Sequence, residues 1–187
     1  SIHAPVKRFI SPNFLPTADN KRANLTKSFA YNLLRLPEYL RSMYYINQRI
    51  RETGAEVVIN FYELLTGLTY ALIRPSVPYI CVGHQYLFLH RDFEFPDKNS
   101  CQLWMLRFFT RMTALRSSKK LALSFLEMEQ DDMNQIVTVP PLIRQEVTAI
   151  RPEKGDYIHG YMVNSGFADS VESFHAKHPE VPLTFFW

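Results

Sequence analysis

The chain has 187 residues, of which 47% are apolar, 21% charged and 14% aromatic; this composition excludes a disordered or fibrous chain and allows a sizeable core. The net charge is +3, and the densest basic stretch, Arg107, Arg111, Arg116, Lys119 and Lys120, has its arginines spread among apolar residues, so no nucleic-acid patch is expected. Two cysteines, Cys81 and Cys101, without CxxC spacing or a Cys/His cluster argue against zinc and for a reduced, cytoplasmic setting, and no apolar run is long enough to span a membrane.

Residues 1–24 read as loop, with one short strand over Val6–Ile10. Thr26 opens a first helix, with Phe29, Leu33 and Leu36 at helical spacing. Pro37 suits the first turn of a second helix, striped by Leu40, Met43, Ile46 and Ile50 and stopped by Gly54. Glu56–Phe61 contains three consecutive β-branched residues and predicts a buried strand of a parallel sheet. A helix over Leu64–Ile73 and a second buried strand, Tyr79–Val82, complete a βαβ unit. Residues 83–100 read as a long loop. A helix follows over Cys101–Arg116, with Trp104, Phe108, Met112 and Leu115 on one stripe, then strands at Leu121–Phe125 and Ile136–Val139. Pro140-Pro141 breaks the pattern. Beyond a charged linker, a strand at Tyr157–Val163, a helix at Ser170–Lys177 and a strand at Leu183–Trp187 make a second βαβ unit. The expectation is an α/β protein with a doubly wound, Rossmann-like parallel sheet and a domain boundary near 140–154.

In such sheets ligands bind beyond the carboxyl ends of the strands. Those ends carry Asn60, Phe61, Tyr62 and Glu63; Gly83, His84, Gln85 and Tyr86; and Asn164, Ser165 and Gly166. Pooled, they would make a cleft between two domains. His84 is the sharpest candidate, as a base or a holder of a hydroxyl or phosphate; the alternative is that it and Gln85 satisfy loop backbone. Glu63 could orient His84 or bind a sugar hydroxyl, or simply be a first-turn acid. Gly166 could bring a helix N-terminus to a phosphate. The other histidines show no ligand spacing and read as surface or packing residues. The basic aromatic helix at 101–116 either packs on the sheet or lies on a membrane surface.

The order Val57-Val58-Ile59-Asn60-Phe61-Tyr62-Glu63, Val77-Pro78-Tyr79-Ile80 and His84-Gln85-Tyr86 resembles the amino-terminal domain of a bacterial and archaeal glycosyltransferase family of GT-B fold, related to UDP-glucuronosyl and lipid-linked N-acetylglucosaminyl transferases. That family's pattern has Asp where Asn60 stands and Pro where Leu64 stands. Val139–Arg144 is similar to its crossover into the nucleotide-binding domain, and Gly155–Tyr161 to the first strand of that domain. The resemblance implies an acceptor-side domain over 1–143, the linker and start of a nucleotide-sugar domain over 144–187, and a fragment lacking both ends and therefore inactive alone. It implies a nucleotide-sugar donor, a UDP-sugar, no further cofactor and no required metal. The acceptor would be a glycan or lipid, with peripheral contact at the inner face of the membrane. His84 and Glu63 would be catalytic; Asn60, Gln85, Tyr86, Tyr161, Asn164, Ser165 and Gly166 would bind substrates. The alternatives are a UDP-N-acetylglucosamine epimerase-like enzyme and a non-catalytic glycan- or protein-binding module, which Asn60 in place of Asp would favour.

Overall fold

The computed structural model describes residues 6–19, 24–95 and 101–186. In chain order the elements are α1 (Leu25–Leu34), α2 (Leu36–Glu52), β1 (Val58–Asn60), α3 (Leu64–Leu72), β2 (Tyr79–Val82), a short 3-10 helix (His84–Leu89), α4 (Cys101–Thr113), β3 (Lys119–Leu123), β4 (Ile136–Val139), α5 (Gln145–Thr148), β5 (Ile158–Tyr161), α6 (Ala168–Lys177) and β6 (Leu183–Phe186). They fall into two compact units, one of Ser1–Pro12 with Arg35–Leu142, the other of Asn13–Leu34 with Ile143–Trp187.

The first unit is built on a four-stranded parallel sheet in the order β1-β2-β3-β4. Each strand lies beside its predecessor. Right-handed crossovers stepping in one direction put their helices on one face, and α3 accordingly packs against both α2 and α4. The register aligns Val58 with Tyr79, Asn60 with Cys81, Cys81 with Lys120, and Lys120 with Ile136, so these side chains share the helix-covered face. The core gathers there: Ile50 of α2, Tyr70 of α3, Tyr79 and Cys81 of β2, Tyr86 and Leu89 of the 3-10 helix, with Ala122 and Ile136. The Tyr70 and Tyr79 rings pack at a tilt of 31° with centroids 4.0 Å apart. β1 is shorter than the buried strand expected over Glu56–Phe61 and is covered on one face only, leaving Ile59 58% exposed on the other.

Local chemistry explains several boundaries. Pro37 occupies the first turn of α2, Arg35 and Arg49 pair with Glu38 and Glu52, and Gly54 ends the segment at φ +60°, which glycine adopts without strain. The side chain of Glu63 caps α3. In α2 the inward stripe uses buried Tyr39, Met43 and Ile50, whereas Leu40 faces solvent.

Other expectations shift. Val6–Ile10 joins no sheet; the Ile10 carbonyl accepts the Ser42 hydroxyl at 2.8 Å. The third strand begins two residues earlier than expected, at Lys119, because the Lys120 ammonium escapes the core by donating to the Asn134 carbonyl at 2.8 Å. Burial lowers the Lys120 pKa. Residues 84–89 wind into a 3-10 helix rather than loop, and α4 turns Trp104 and Phe108 outward while Thr110 and Thr113 are buried.

In the second unit β5 and β6 pair in parallel, joined through α6. An apolar gap of about 300 Å³ remains between Phe167 and Phe174 on one side and Ile158 and Leu183 on the other. Asn24, rather than Thr26, caps α1: its Oδ1 accepts the Lys27 N–H at 3.0 Å. Asn32 and Asn13 exchange two hydrogen bonds, of 3.1 and 2.9 Å. The end of the expected last strand, Trp187, lies outside the described residues.

Gly67 is where α3 meets the end of α4. A Cβ there would stand 2.3 Å from the Met112 carbonyl oxygen and 2.8 Å from that of Thr113. Gly67→Ala gains about 1 kcal/mol of helix propensity, yet backbone obstructs the methyl, and overpacking costs about 1–3 kcal/mol. The expected result in urea unfolding is a net loss of stability; a stabilised variant would refute this packing.

Candidate active site

All four strands of the first unit end on the same edge, at Asn60, Val82, Leu123 and Val139. The turn after β1 is fixed by Asn60, which is buried. Its Nδ2 donates to the Glu63 carbonyl (3.1 Å) and the Thr113 carbonyl (2.9 Å), and its Oδ1 accepts the Glu63 N–H (2.8 Å). Asn60 thus spends its amide on backbone. Between these bonds Tyr62 takes φ +61°, a left-handed conformation unusual for a bulky residue. Its ring packs edge-on against Tyr86 at 5.7 Å. The Thr110 hydroxyl donates to the Leu106 carbonyl, so the Tyr62 hydroxyl donates to Thr110, at 2.9 Å. Burial raises the Tyr62 pKa against the opposing effect of that bond.

Glu63 Oε1 accepts the Leu65 N–H at 3.0 Å and the Ser11 hydroxyl at 2.6 Å. One carboxylate oxygen therefore caps α3 and holds the N-terminal segment. His84, at the start of the 3-10 helix, is exposed at the carboxyl end of β2, and Gln85 is half-buried beside it. Among the described residues no hydrogen bond joins His84 to Glu63. Tyr86, expected at the substrate, is fully buried: its hydroxyl donates to Thr113 Oγ1 at 3.2 Å, and burial raises its pKa. Cys81 is equally enclosed, and burial pushes its thiol up, so it stays neutral.

In the second unit Tyr161 ends β5 and is exposed. Asn164 Oδ1 accepts the Gly166 N–H at 2.8 Å, capping the turn that carries Ser165 and leads into α6. The Gly166 donor is thus already taken by Asn164.

The model of "Glycosyl transferase family 1" matches residues 14–182. The chain belongs to this family. No curated protein and no solved structure matches it. Membership gives glycosyl transfer as the general activity and accounts for parallel α/β units with polar groups at their strand ends.

Two features of this glycosyl transferase chain escape sequence reasoning. One is an open groove of about 530 Å³ at the carboxyl ends of β3 and β4, lined among others by Ser124, Phe125, Met128, Thr138 and Pro141. Thr138 Oγ1 is sequestered there without a protein partner. The rule that pointed to His84 would have reached Ser124 had the third strand been placed in its true register. The other lies at the opposite edge. His90, read from sequence as a surface or packing residue, is buried; its Nε2 bonds the Glu129 carbonyl at 2.8 Å, so Nδ1 accepts the Asp92 N–H at 3.2 Å. Asp131 is fully buried and accepts the Arg91 N–H (3.0 Å), the Asn134 N–H (3.1 Å) and Asn134 Nδ2 (2.6 Å). Among the described residues no three His, Cys, Asp or Glu side chains gather as a metal-binding group.

Two outcomes follow from these bonds. In Asn60→Asp a carboxylate faces two carbonyl oxygens and cannot donate to either. We expect a loss of about 2–4 kcal/mol at neutral pH, the cost of an unsatisfied buried group. The new carboxyl would titrate above its unfolded value, so the loss shrinks as pH falls toward about 4. A pH-independent loss in chemical denaturation would exclude this reading. For Asp131, burial alone would raise the pKa, but the Asn134 and Arg91 donors outweigh it and the net shift is downward. A depressed carboxyl contributes stability above the unfolded value of about 4 that is lost as pH falls through the folded one. Asp131→Asn should flatten the acid limb of the stability–pH curve, and an unaltered limb would contradict the assignment.

Proposed function

We propose that this chain serves transfer of a sugar from a nucleotide sugar, a UDP-sugar, to a glycan or lipid-linked acceptor. The observation that carries the reading is the exposed imidazole of His84 at the carboxyl end of β2 in a member of a glycosyl transferase family. His84 takes the proton of the acceptor hydroxyl as its oxygen attacks the anomeric carbon. The bond from that carbon to the phosphate oxygen breaks, and the nucleoside diphosphate leaves with the electron pair. Gln85 supports the acceptor through its amide. Glu63 Oε1 anchors the turn, and in this reading the carboxylate also accepts a sugar hydroxyl. The donor is read by Tyr161 and Ser165 at the end of β5, where the N-terminus of α6 offers partial positive charge to a departing diphosphate.

Both cysteines are free thiols, which suits a reducing compartment, and a lipid-linked acceptor would bring the protein to the inner face of a membrane. Asn60 gives no support to a non-catalytic module, because its amide is committed to backbone carbonyls.

Calorimetric titration with UDP-, GDP- and dTDP-sugars tests the donor, with UDP-sugar binding expected. In a catalytically active form of the protein His84→Ala should lower kcat by about a hundredfold or more, the range for losing a general base, while leaving donor affinity unchanged. Failure of every nucleotide sugar to bind would favour the binding module, and full turnover in His84→Ala would remove the base.

A further inference from the structure

A polar pocket of about 500 Å³ opens at the amino-terminal edge of the first unit's sheet, away from the strand ends that carry His84. It lies between the end of α2 and the connection from α3 to β2, and Asn47, Ile50, Arg51, Arg74, Ser76 and Val77 are among its lining residues. Its volume is ordinary for a small-molecule site. Arg51 comes from the last turn of α2, and Arg74 follows the end of α3. Among the described residues neither arginine forms an ion pair, no Asp or Glu lines the pocket, and Glu52 is taken by Arg49. Two helices end here, and each carboxyl end carries about half a negative charge. Two guanidinium charges exceed that sum, so the pocket is positive. Arg74 stands at φ +58°, its N–H bonded to the Thr69 carbonyl at 3.1 Å, in the left-handed cap that glycine fills without strain. The helix end calls for that backbone shape but not for that side chain. Asn47 Oδ1 is buried without a protein partner, an acceptor that a ligand hydroxyl would satisfy. Buried Ile50 and half-buried Val77 add an apolar wall.

We propose that this pocket binds a small hydroxylated phosphate monoester, with Arg51 and Arg74 gripping the phosphate and Asn47 Oδ1 accepting a ligand hydroxyl. A monoester dianion matches two guanidinium charges, and its free oxygens suit their planar forks. The ligand sits at the edge opposite His84, so the proposal does not rest on the transferase reading. Calorimetric titration with ribose 5-phosphate, inorganic phosphate and ribose provides the test. Ribose 5-phosphate should bind more tightly than inorganic phosphate, and ribose should not bind. Arg51→Gln and Arg74→Gly should each weaken ribose 5-phosphate by about tenfold. Arg74→Gly should leave the melting temperature unchanged or raise it, because glycine suits the cap. Asn47→Ala should weaken ribose 5-phosphate and leave inorganic phosphate unaltered, and His84→Ala should bind both as the parent does. No binding of either phosphate, or undiminished binding in both arginine variants, would overturn the proposal. So would binding lost in His84→Ala but kept in Arg74→Gly, which would move the phosphate to the other edge. A melting temperature lowered by Arg74→Gly with binding intact would also overturn it, by making the arginine a helix-end residue only.

Discussion

One buried amide holds the first unit's site edge together. Asn60 closes β1, binds both backbone groups of Glu63 at the entry to α3, and binds the Thr113 carbonyl at the end of α4. Two of its three bonds require a donor, so a carboxylate cannot replace it. The same bonds enforce the left-handed Tyr62, a conformation that costs on the order of 1 kcal/mol or more and persists only where its surroundings over-determine it. They also deliver Glu63 to the first turn of α3, where its carboxylate caps the helix. Asn60, which stands where the resembling family's pattern has Asp, therefore has its amide committed to the backbone of this turn and of α4.

The helix-covered face separates two histidines that looked alike as letters. The 3-10 helix starts with His84 at the carboxyl end of β2, packs along β3 and β4, and ends beside His90. There Asp131 bridges to Ile136, the first residue of β4. His84 is exposed at the edge where the family's chemistry is expected; His90 is enclosed at the opposite edge with its tautomer fixed by Glu129 and Asp92. Six residues of chain thus connect the carboxyl edge of the sheet to the opposite one. The Asp131 network keeps the long β3–β4 connection, which contains no helix, tied to the rest of the unit.

What could be read in advance follows from the range of the forces involved. β1, β2, α2 and α3 are written locally, in β-branched runs, a proline at a first turn and a capping acid. The position of His84 after a parallel strand is equally local. The 3-10 helix has no periodic signature, and Lys119–Lys120 disguised the start of β3 because a lysine stem can be buried while its ammonium finds a carbonyl. The bonds of Asn60 and His90 reach backbone partners 53 and 39 positions away, and no sequence pattern records a carbonyl. Tyr86 beside His84 shares its neighbourhood in sequence but points into the core, since adjacent residues on a tight helix face different ways.

The same logic distinguishes two helices that both expose apolar side chains. On α2, Leu36, Leu40 and Tyr44 are outward, but Glu38 and Glu52 alternate with the arginines and pair with Arg35 and Arg49, so that surface balances its own charge. On α4 the sequence left the aromatic stripe either to the sheet or to an outer surface. Threonines took the sheet side because their hydroxyls bond back to Leu106 and Thr110 carbonyls and receive the Tyr62 and Tyr86 hydroxyls. Small polar side chains let α4 approach Gly67 of α3 closely, and Trp104 and Phe108 would not fit at that spacing. The close packing of α3 on α4 thus turns the largest rings of the helix outward, beside arginines with no acid on their helix to answer them.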